Sequence, residues 1–197
     1  IRISSRSAHL YSNLGMVLHK AGQDLDAIET LKKAIQINPH LDDAYNNLGL
    51  IFLSKENWSV AGDWLLQGLK INSRSPALLV NYATVLKNTN RFDEALTTYN
   101  KALEIQPDSA DIYFNAIDTC ERYNQLGKAK EWLSSAKSVL NPLPDDLLLA
   151  ESRLLVREKR HAEALPVLGK INFSSARSEI SVAALQIKGT CEENVGL

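Results

Sequence analysis

The sequence predicts an all-α fold built from stacked helix-turn-helix repeats. Three observations lead to this prediction: the chain resembles itself at an interval of 34 residues, small and large apolar residues recur at fixed positions of the interval, and helix-breaking residues recur at two places in it. The composition, 45% hydrophobic and 23% charged, is ordinary for a globular protein of 197 residues. Disorder is therefore not expected.

Five complete repeats can be aligned along the chain. We predict their bounds near 8–41, 42–75, 76–109, 110–144 and 145–178, with a one-residue slip before the fifth indicated by Pro142 and Pro144. Residues 1–7 correspond to the end of a preceding repeat, because "RISSRSAHL" parallels "KINSRSPAL" two repeats later, and residues 179–197 correspond to the first helix of a sixth. We therefore expect a segment of a longer array.

Small residues recur where the two helices of a repeat should touch. The eighth position holds Gly15, Gly49, Ala83 and Ile117, and the twentieth holds Ala27, Ala61, Ala95 and Ala129. The twenty-fourth position is large, with Leu31, Leu65, Tyr99 and Leu133. This alternation of small and large side chains is typical of closely packed helices.

Breakers divide each repeat into two helices. Residues tolerant of positive φ predict a turn in the middle of the repeat, at Gly22, Asn90 and Asn124. Pro39 and Pro107 predict the end of a second helix, and Ser75 before Pro76 is typical of an N-cap followed by a first-turn proline. Pro166 would fall within the second helix of the fifth repeat, where we expect a kink or a late start.

The repeated pattern resembles that of the tetratricopeptide repeat, and the resemblance covers nearly the whole chain. The family's characteristic positions are occupied in the first repeat by Tyr11, Leu14, Gly15, Leu18, Ala27, Leu31, Ala34 and Pro39. The second repeat departs from the pattern by ending in Ser73, and the fourth by having Ala116 and Ile117 in place of Leu-Gly. The resemblance implies a right-handed α-solenoid whose first helices line a concave groove.

The sixth position of the first four repeats is always asparagine: Asn13, Asn47, Asn81 and Asn115. Asparagine is unfavourable inside a helix, so its recurrence indicates a function. A carboxamide offers an acceptor and two donors and can bind the backbone of an extended peptide. The column resembles the asparagine ladder of O-linked N-acetylglucosamine transferases, which implies peptide binding by these four residues. The alternative is an asparagine that is solvated or bonds its neighbouring helix.

The other groove positions are mixed. Met16 and Leu50 make one end apolar, and Thr84 is a further possible contact. Asn46 stands at the fifth position, where its equivalents Ser12, Val80 and Phe114 vary, so it can contact a ligand but belongs to no pattern.

The fourth repeat has acidic groove positions. Asp111, Asp118 and Glu121 lie there together with Arg122. A basic or hydroxyl-rich peptide could favour this end, although a solvated charged face explains the same residues.

Several classes of function are not expected. The net charge is -1 and Lys and Arg are scattered, which argues against nucleic acid as a partner. Cys120 and Cys191 lack metal-binding spacing, as do the histidines, and no catalytic or phosphate-binding motif occurs, so we predict no catalytic residues, no metal and no cofactor. No apolar run could cross a membrane and no signal peptide is visible, so we expect a cytoplasmic location.

Three functions remain open. The first is a protein-interaction module that binds an extended polypeptide in its groove. The second is the substrate-recognition arm of a larger enzyme, such as a glycosyltransferase or sulfotransferase, whose catalytic domain lies outside this segment. The third is a structural spacer or a surface for self-association through the open ends of the solenoid.

Overall fold

The computed structural model describes residues 2–173 and 178–196, and side chains in the helices from Arg6 onwards except that of Ser178. Within these residues the chain forms eleven α-helices and no strand. The predicted fold class, an α-solenoid of helix-turn-helix repeats, is confirmed. The chain divides into two compact units, Ile1–Gln106 and Pro107–Leu197.

The first unit contains three helix pairs. Helix α1 (Arg2–Lys20) pairs with α2 (Asp24–Ile37), α3 (Asp42–Ser54) with α4 (Trp58–Ile71), and α5 (Pro76–Asn88) with α6 (Phe92–Leu103). Each of α2 and α4 also packs against the first helix of the next pair, and the first helices contact one another in the order α1, α3, α5. The pairs therefore stack in the order of the chain.

The second unit continues the same plan. Helix α7 (Ala110–Arg122) pairs with α8 (Leu126–Val139), α9 (Asp145–Arg157) pairs with α10 (His161–Leu168), and α11 (Ser178–Val195) packs against both α9 and α10. The end of the predicted fifth repeat, over residues 174–177, lies outside the described residues.

Helix α10 differs from what Pro166 predicts. The helix does not start late; it begins at His161, includes Pro166 and ends at Leu168, after eight residues. Proline has no N–H for the carbonyl of Ala162, and its ring crowds that carbonyl. The late start is not observed, and the proline lies inside the helix near its end.

Helix α1 is longer than the repeat pattern predicts. It runs from Arg2 through Lys20, so residues 2–7, which the sequence assigns to a preceding repeat, continue the same helix. At the equivalent point before α5, Ser75 accepts a hydrogen bond from the Leu78 N–H at 3.5 Å, and Pro76 follows as the first helical residue. α1 has Ala8 in place of that proline, and alanine allows a helix to continue.

The turn inside each repeat has one residue with positive φ. The predicted turn residues Gly22, Asn90 and Asn124 are confirmed, with φ of 79°, 60° and 54°. Glu56 and Lys159, at the same fifteenth position of their repeats, have φ of 55° and 61°. The left-handed conformation is therefore a property of the turn, whichever residue occupies it.

Small residues allow the close helix contact that the sequence predicts. A Cβ added to Gly15 would lie 2.6 Å from Cγ of Leu31, and one added to Gly49 would lie 2.6 Å from Cγ of Leu65. Both leucines are fully buried. In these two repeats a side chain larger than that of glycine at the eighth position would clash with the leucine at the twenty-fourth.

Tyrosines at the fourth position connect the start of a first helix to the loop before it. The Tyr45 hydroxyl donates to the Pro39 carbonyl at 3.1 Å, and the Tyr113 hydroxyl donates to the Pro107 carbonyl at 3.2 Å. Each ring also packs beside a tryptophan of the following second helix, with centroids 6.1 Å and 6.2 Å apart. One residue type therefore fixes both the loop and the helix pair.

Candidate functional site

The four asparagines of the sixth position all lie on first helices. Asn13 is on α1, Asn47 on α3 and Asn81 on α5, in the first unit, and Asn115 is on α7 in the second. Asn13 is exposed, whereas the other three are partly buried. The first unit thus carries three members of the predicted ladder on three helices that contact one another in sequence.

Two members of the ladder are bonded to the preceding first helix. The Asn47 Nδ2 donates to Oγ of Ser12 at 3.0 Å, and the Asn81 Nδ2 donates to Oδ1 of Asn46 at 2.8 Å. In both cases the donor stands at the sixth position and the acceptor at the fifth position of the repeat before. A primary amide has two N–H groups and a carbonyl oxygen, so one N–H and the carbonyl lie outside this bond.

The other two members differ from these. Asn115 donates through Nδ2 to the Asp111 carbonyl of its own helix at 2.7 Å. The Asn13 side chain makes no hydrogen bond within the described part of the chain. The asparagine column is thus uniform in sequence and not in hydrogen bonding.

Asn46 and Ser12 have a role that the sequence did not reveal. The interpretation that Asn46 belongs to no pattern is wrong, because it accepts from Asn81 as Ser12 accepts from Asn47. The Ser12 side chain is 2% exposed, and a buried hydroxyl needs a hydrogen-bonding partner. Each pair joins the fifth position of one repeat to the sixth position of the next, 35 residues later. A comparison of equivalent positions, which are 34 residues apart, does not reveal such pairs.

The remaining predicted groove contacts are placed on the same first helices. Met16, Leu50 and Thr84 are partly buried, and the Thr84 hydroxyl donates to the Val80 carbonyl of its own helix at 3.1 Å. Asp111 and Arg122 are exposed, and Asp118 is partly buried.

Glu121 in the second unit is buried and paired, and it is not a solvated acidic residue. Its side chain is 7% exposed, and its Oε2 accepts from Nη2 of Arg153 at 2.6 Å and from Nε at 3.1 Å. Nη1 of Arg157 donates to the Glu121 backbone carbonyl at 3.3 Å. The Arg153 guanidinium also lies 5.7 Å above the ring of Phe114. Sequence reasoning missed both arginines because they belong to the next repeat.

These contacts correct the expectation of an acidic end in the fourth repeat. A cleft of about 500 Å³ within the second unit is lined by Asp118, Glu121, Arg122, Arg153, Val156, Arg157 and Ile187. Three of these residues are arginines and two are acidic, so the formal charge of the lining is positive. The argument for a basic ligand at this end is therefore lost.

The two cysteines, candidate metal ligands and candidate membrane spans were considered from the sequence and can be compared with the structure. Burial raises the pKa of the Cys120 thiol to about 11 and also raises that of Cys191, so both thiols are protonated at neutral pH. Within residues 2–173 and 178–196, no group of three or more His, Cys, Asp or Glu side chains could hold a metal ion. No helix in this part of the chain has the length and apolar character needed to span a bilayer.

Comparison with known proteins identifies the repeats. The family model described as "TPR repeat" matches residues 17–56 and 83–116. These segments are similar to tetratricopeptide repeats. The structure of PilF from Pseudomonas aeruginosa has the same fold, with a TM-score of 0.81 and 19% identity, over 98% of this chain and 86% of that one.

Relatives detected by sequence are proteins of several kinds. The type IV pilus assembly protein PilF of Pseudomonas aeruginosa is 25% identical over 168 residues, 83% of this chain and 64% of that protein. A BBSome complex member BBS4 homolog of Drosophila melanogaster is 27% identical over 180 residues, 89% of this chain. Protein O-mannosyl-transferase Tmtc3 of Drosophila melanogaster is 24% identical over 140 residues, 64% of this chain.

The chain is shorter than these relatives. It spans 36% of the BBS4 homolog, 64% of PilF and 15% of Tmtc3.

Proposed function

We propose that this array of tetratricopeptide repeats is a protein-interaction module that binds an extended polypeptide along its first helices. Asn13, Asn47 and Asn81 bind the polypeptide backbone in the first unit, and Asn115 binds it in the second. The observation that carries the proposal is the recurrence of asparagine, a poor helix former, at the sixth position of four consecutive repeats.

Hydrogen bonding within the chain accounts for only part of this recurrence. Asn47 and Asn81 bond to the neighbouring first helix, whereas Asn115 bonds to the Asp111 carbonyl of its own helix. The similarity to the ladder of O-linked N-acetylglucosamine transferases supports the same proposal.

The expected affinity of the ladder alone is modest. Each hydrogen bond contributes about 0.5–1.5 kcal/mol net, and ordering a flexible peptide opposes binding. Neighbouring positions such as Met16 and Leu50 then add apolar contacts at one end of the groove. Specificity for a particular sequence comes from these neighbours, since backbone contacts are shared by all peptides.

A peptide-binding experiment tests this function. A random dodecapeptide library displayed on phage is selected against the chain, and the enriched sequences are synthesised and titrated by fluorescence anisotropy. Alanine at all four ladder positions is expected to abolish measurable binding while circular dichroism still shows the helical fold. A matched control replaces two exposed helical asparagines outside the ladder, Asn100 and Asn194, by alanine. Unchanged binding by the ladder variant would overturn the proposal.

A second candidate is the substrate-recognition arm of a larger enzyme. It is favoured by the similarity to Tmtc3, a protein O-mannosyl-transferase of which this chain matches 15%. The test places the four ladder substitutions in the complete polypeptide that contains these residues. Transfer of the sugar or sulfate group is then assayed with a protein acceptor and with a short acceptor peptide. Loss for the protein acceptor alone would support this candidate, and equal activity on both acceptors would reject it.

A third candidate is self-association through the first helix. Leu10, Leu14 and Val17 on α1 are 62%, 47% and 62% exposed, whereas their equivalents on α3, Ala44, Leu48 and Ile51, are fully buried. An apolar stripe of this kind favours association. Sedimentation velocity over a range of concentrations is expected to show a dimer that serine at the three α1 positions removes. Serine at Leu25 and Leu66, which are exposed on the second helices α2 and α4, is the control.

A further inference from the structure

We propose that Ser12 and Asn46 are positioning residues that orient the amides of Asn47 and Asn81 for an extended peptide. This inference rests on the proposed peptide-binding function. It adds residues from a second column of the repeat to the site and defines which groups of the ladder meet the ligand.

The geometry of the two pairs is the first step. Both bonds join the fifth position of one first helix to the sixth position of the next, at 3.0 Å and 2.8 Å. The acceptor is a hydroxyl in one pair and an amide oxygen in the other. The arrangement is thus repeated along α1, α3 and α5 although the residue types differ.

The chemistry of the amide is the second step. The nitrogen and oxygen of a carboxamide point in different directions from its planar carbon, so fixing the nitrogen on the preceding helix also fixes the direction of the oxygen. Asn47 and Asn81 therefore present a carbonyl acceptor to a ligand. The matching group on an extended polypeptide is the backbone N–H, and a residue without one, such as proline, does not fit at these points.

Burial makes the orientation persistent. Ser12 is 2% exposed, and a hydroxyl removed from water stays bonded because an unpaired one costs free energy. Asn46, Asn47 and Asn81 are partly buried. Asn47 and Asn81 are therefore the ladder members of the first unit whose amides are held by the preceding first helix.

Single substitutions of the positioning residues test the inference. The probe is the dodecapeptide enriched on the wild-type chain. Ser12→Ala and Asn46→Ala are each expected to weaken its binding roughly twofold to tenfold, since each removes one orienting hydrogen bond. Asn46→Asp keeps an acceptor oxygen for the Asn81 amide and is expected to bind the peptide as the wild type does, unlike Asn46→Ala. Val80→Ala changes a fifth-position residue that has no polar group and is the matched control.

A double-mutant cycle separates positioning from general stability. In an Asn47→Ala background, Ser12→Ala is expected to have no further effect on binding, because it acts through Asn47. The side-chain amide protons of Asn47, observed by 15N-edited NMR without ligand, are expected to exchange faster in Ser12→Ala.

The outcomes distinguish the two proposals. If Asn47→Ala weakens binding and Ser12→Ala does not, the positioning role is wrong and the peptide-binding function stands. The positioning role is equally overturned if Ser12→Ala weakens binding by the same factor with and without Asn47. If no peptide is enriched on the wild-type chain, both the proposed function and this inference are wrong. Peptides methylated at one backbone nitrogen at a time test whether the peptide N–H groups are bound. The peptides methylated at the amides that contact Asn47 and Asn81 are expected to bind most weakly.

Discussion

The two units of the molecule join their consecutive first helices through different chemistry. In the first unit the links are neutral: a hydroxyl or an amide at the fifth position accepts from an asparagine at the sixth. In the second unit α7 and α9 are linked by a buried carboxylate, Glu121, which is paired with Arg153. Repeats of one fold thus use two kinds of contact between the same elements.

The difference has energetic consequences. A neutral hydrogen bond contributes about 0.5–1.5 kcal/mol net, and its loss is correspondingly mild. A buried ion pair contributes little over an apolar pair, but removing one partner leaves an uncompensated charge and costs about 3–5 kcal/mol. The second unit should therefore be much more sensitive to single substitutions at its link than the first.

The largest expected effect comes from breaking the charged link. Arg153→Ala leaves buried Glu121 with only the Arg157 guanidinium, whose Nε is 3.9 Å from its Oε1, among its ion-pair partners in the described residues. It should lower the free energy of unfolding of the second unit by about 2–4 kcal/mol, below the fully buried case because Arg153 is 29% exposed and Arg157 stays nearby. The measurement is urea unfolding followed by the fluorescence of Trp132, with Trp58 and Trp64 changed to phenylalanine.

A control for the charged link uses an exposed ion pair of the same unit. Arg160→Ala removes the contact with exposed Glu163 and the contact with partly buried Glu158, which keeps its ion pair with Lys130, and should cost only about 0.2–1 kcal/mol. Replacing both Glu121 and Arg153 by leucine and methionine should recover much of the loss. Equal costs for Arg153→Ala and Arg160→Ala would contradict the distinction between the two units.

The second prediction concerns how closely helices approach in the first unit. Gly49→Ala places a Cβ 2.6 Å from buried Leu65 atoms and should destabilise the first unit by about 1–3 kcal/mol. In Gly127→Ala, on α8, the added Cβ has no neighbouring atom within 4 Å, so the substitution should be neutral or stabilising by up to about 1 kcal/mol. Thermal unfolding by circular dichroism measures both, and a stable Gly49→Ala chain would show that the helix pair can widen.

The third prediction addresses a feature that the two units share. Glu56→Gly in the first unit and Lys159→Gly in the second each relieve a positive φ and should stabilise the chain by about 0.5–1 kcal/mol. Gly22→Ala, at a φ of 79° with open space around it, should destabilise by about 1 kcal/mol. Chemical unfolding gives these values, and opposite signs at Glu56 and Lys159 would mean that the turns are not equivalent.

The smallest expected effect is a dependence on pH in the first unit. Hydrogen bonds and charge from Lys55 and His19 lower the pKa of Asp24 below its ordinary 3.8. A lowered pKa means that the contact stabilises the fold above that ordinary value and that this stabilisation is lost as pH falls through the pKa of the folded state.

Asp24→Asn checks this dependence. Its urea midpoint should lie slightly below that of the wild type at neutral pH and converge with it in acid, and the gap should shrink in high salt because the groups are near the surface. Asp26→Asn, which removes a carboxylate from the same first turn, is the control. A gap that persists unchanged below the ordinary pKa of Asp24 would argue against the ionic contact.

Much of the fold follows from the sequence, because each of the following structural features is determined by the residue type at a single position of the repeat. The glycine opposite a leucine, the Ser75 cap and the turns at Gly22, Asn90 and Asn124 are each visible as a residue type in a column. The positive φ of Glu56 and Lys159 was not predicted, since their turns are closed by the surrounding helices and not by the residue itself.

The candidate site was predicted less completely, because its contacts join different positions of different repeats. The asparagine column is visible in the sequence, but the bonds from Asn47 and Asn81 to the fifth position are not. The charge near Glu121 was assigned from its own repeat, while the residue that compensates it, Arg153, is in the next. Peptide binding and the cytoplasmic location stay predictions.

The link between Glu121 and Arg153 also bears on how such arrays can change by recombination. A repeat whose contacts are neutral can be duplicated, deleted or exchanged for another at small energetic cost. The fourth and fifth repeats are not interchangeable in this way, because the fourth carries the buried Glu121 and the fifth carries its partner Arg153. Without the fifth repeat, the Glu121 carboxylate would lose that partner. The two repeats are therefore expected to be inherited together, as a two-repeat block within an otherwise exchangeable array.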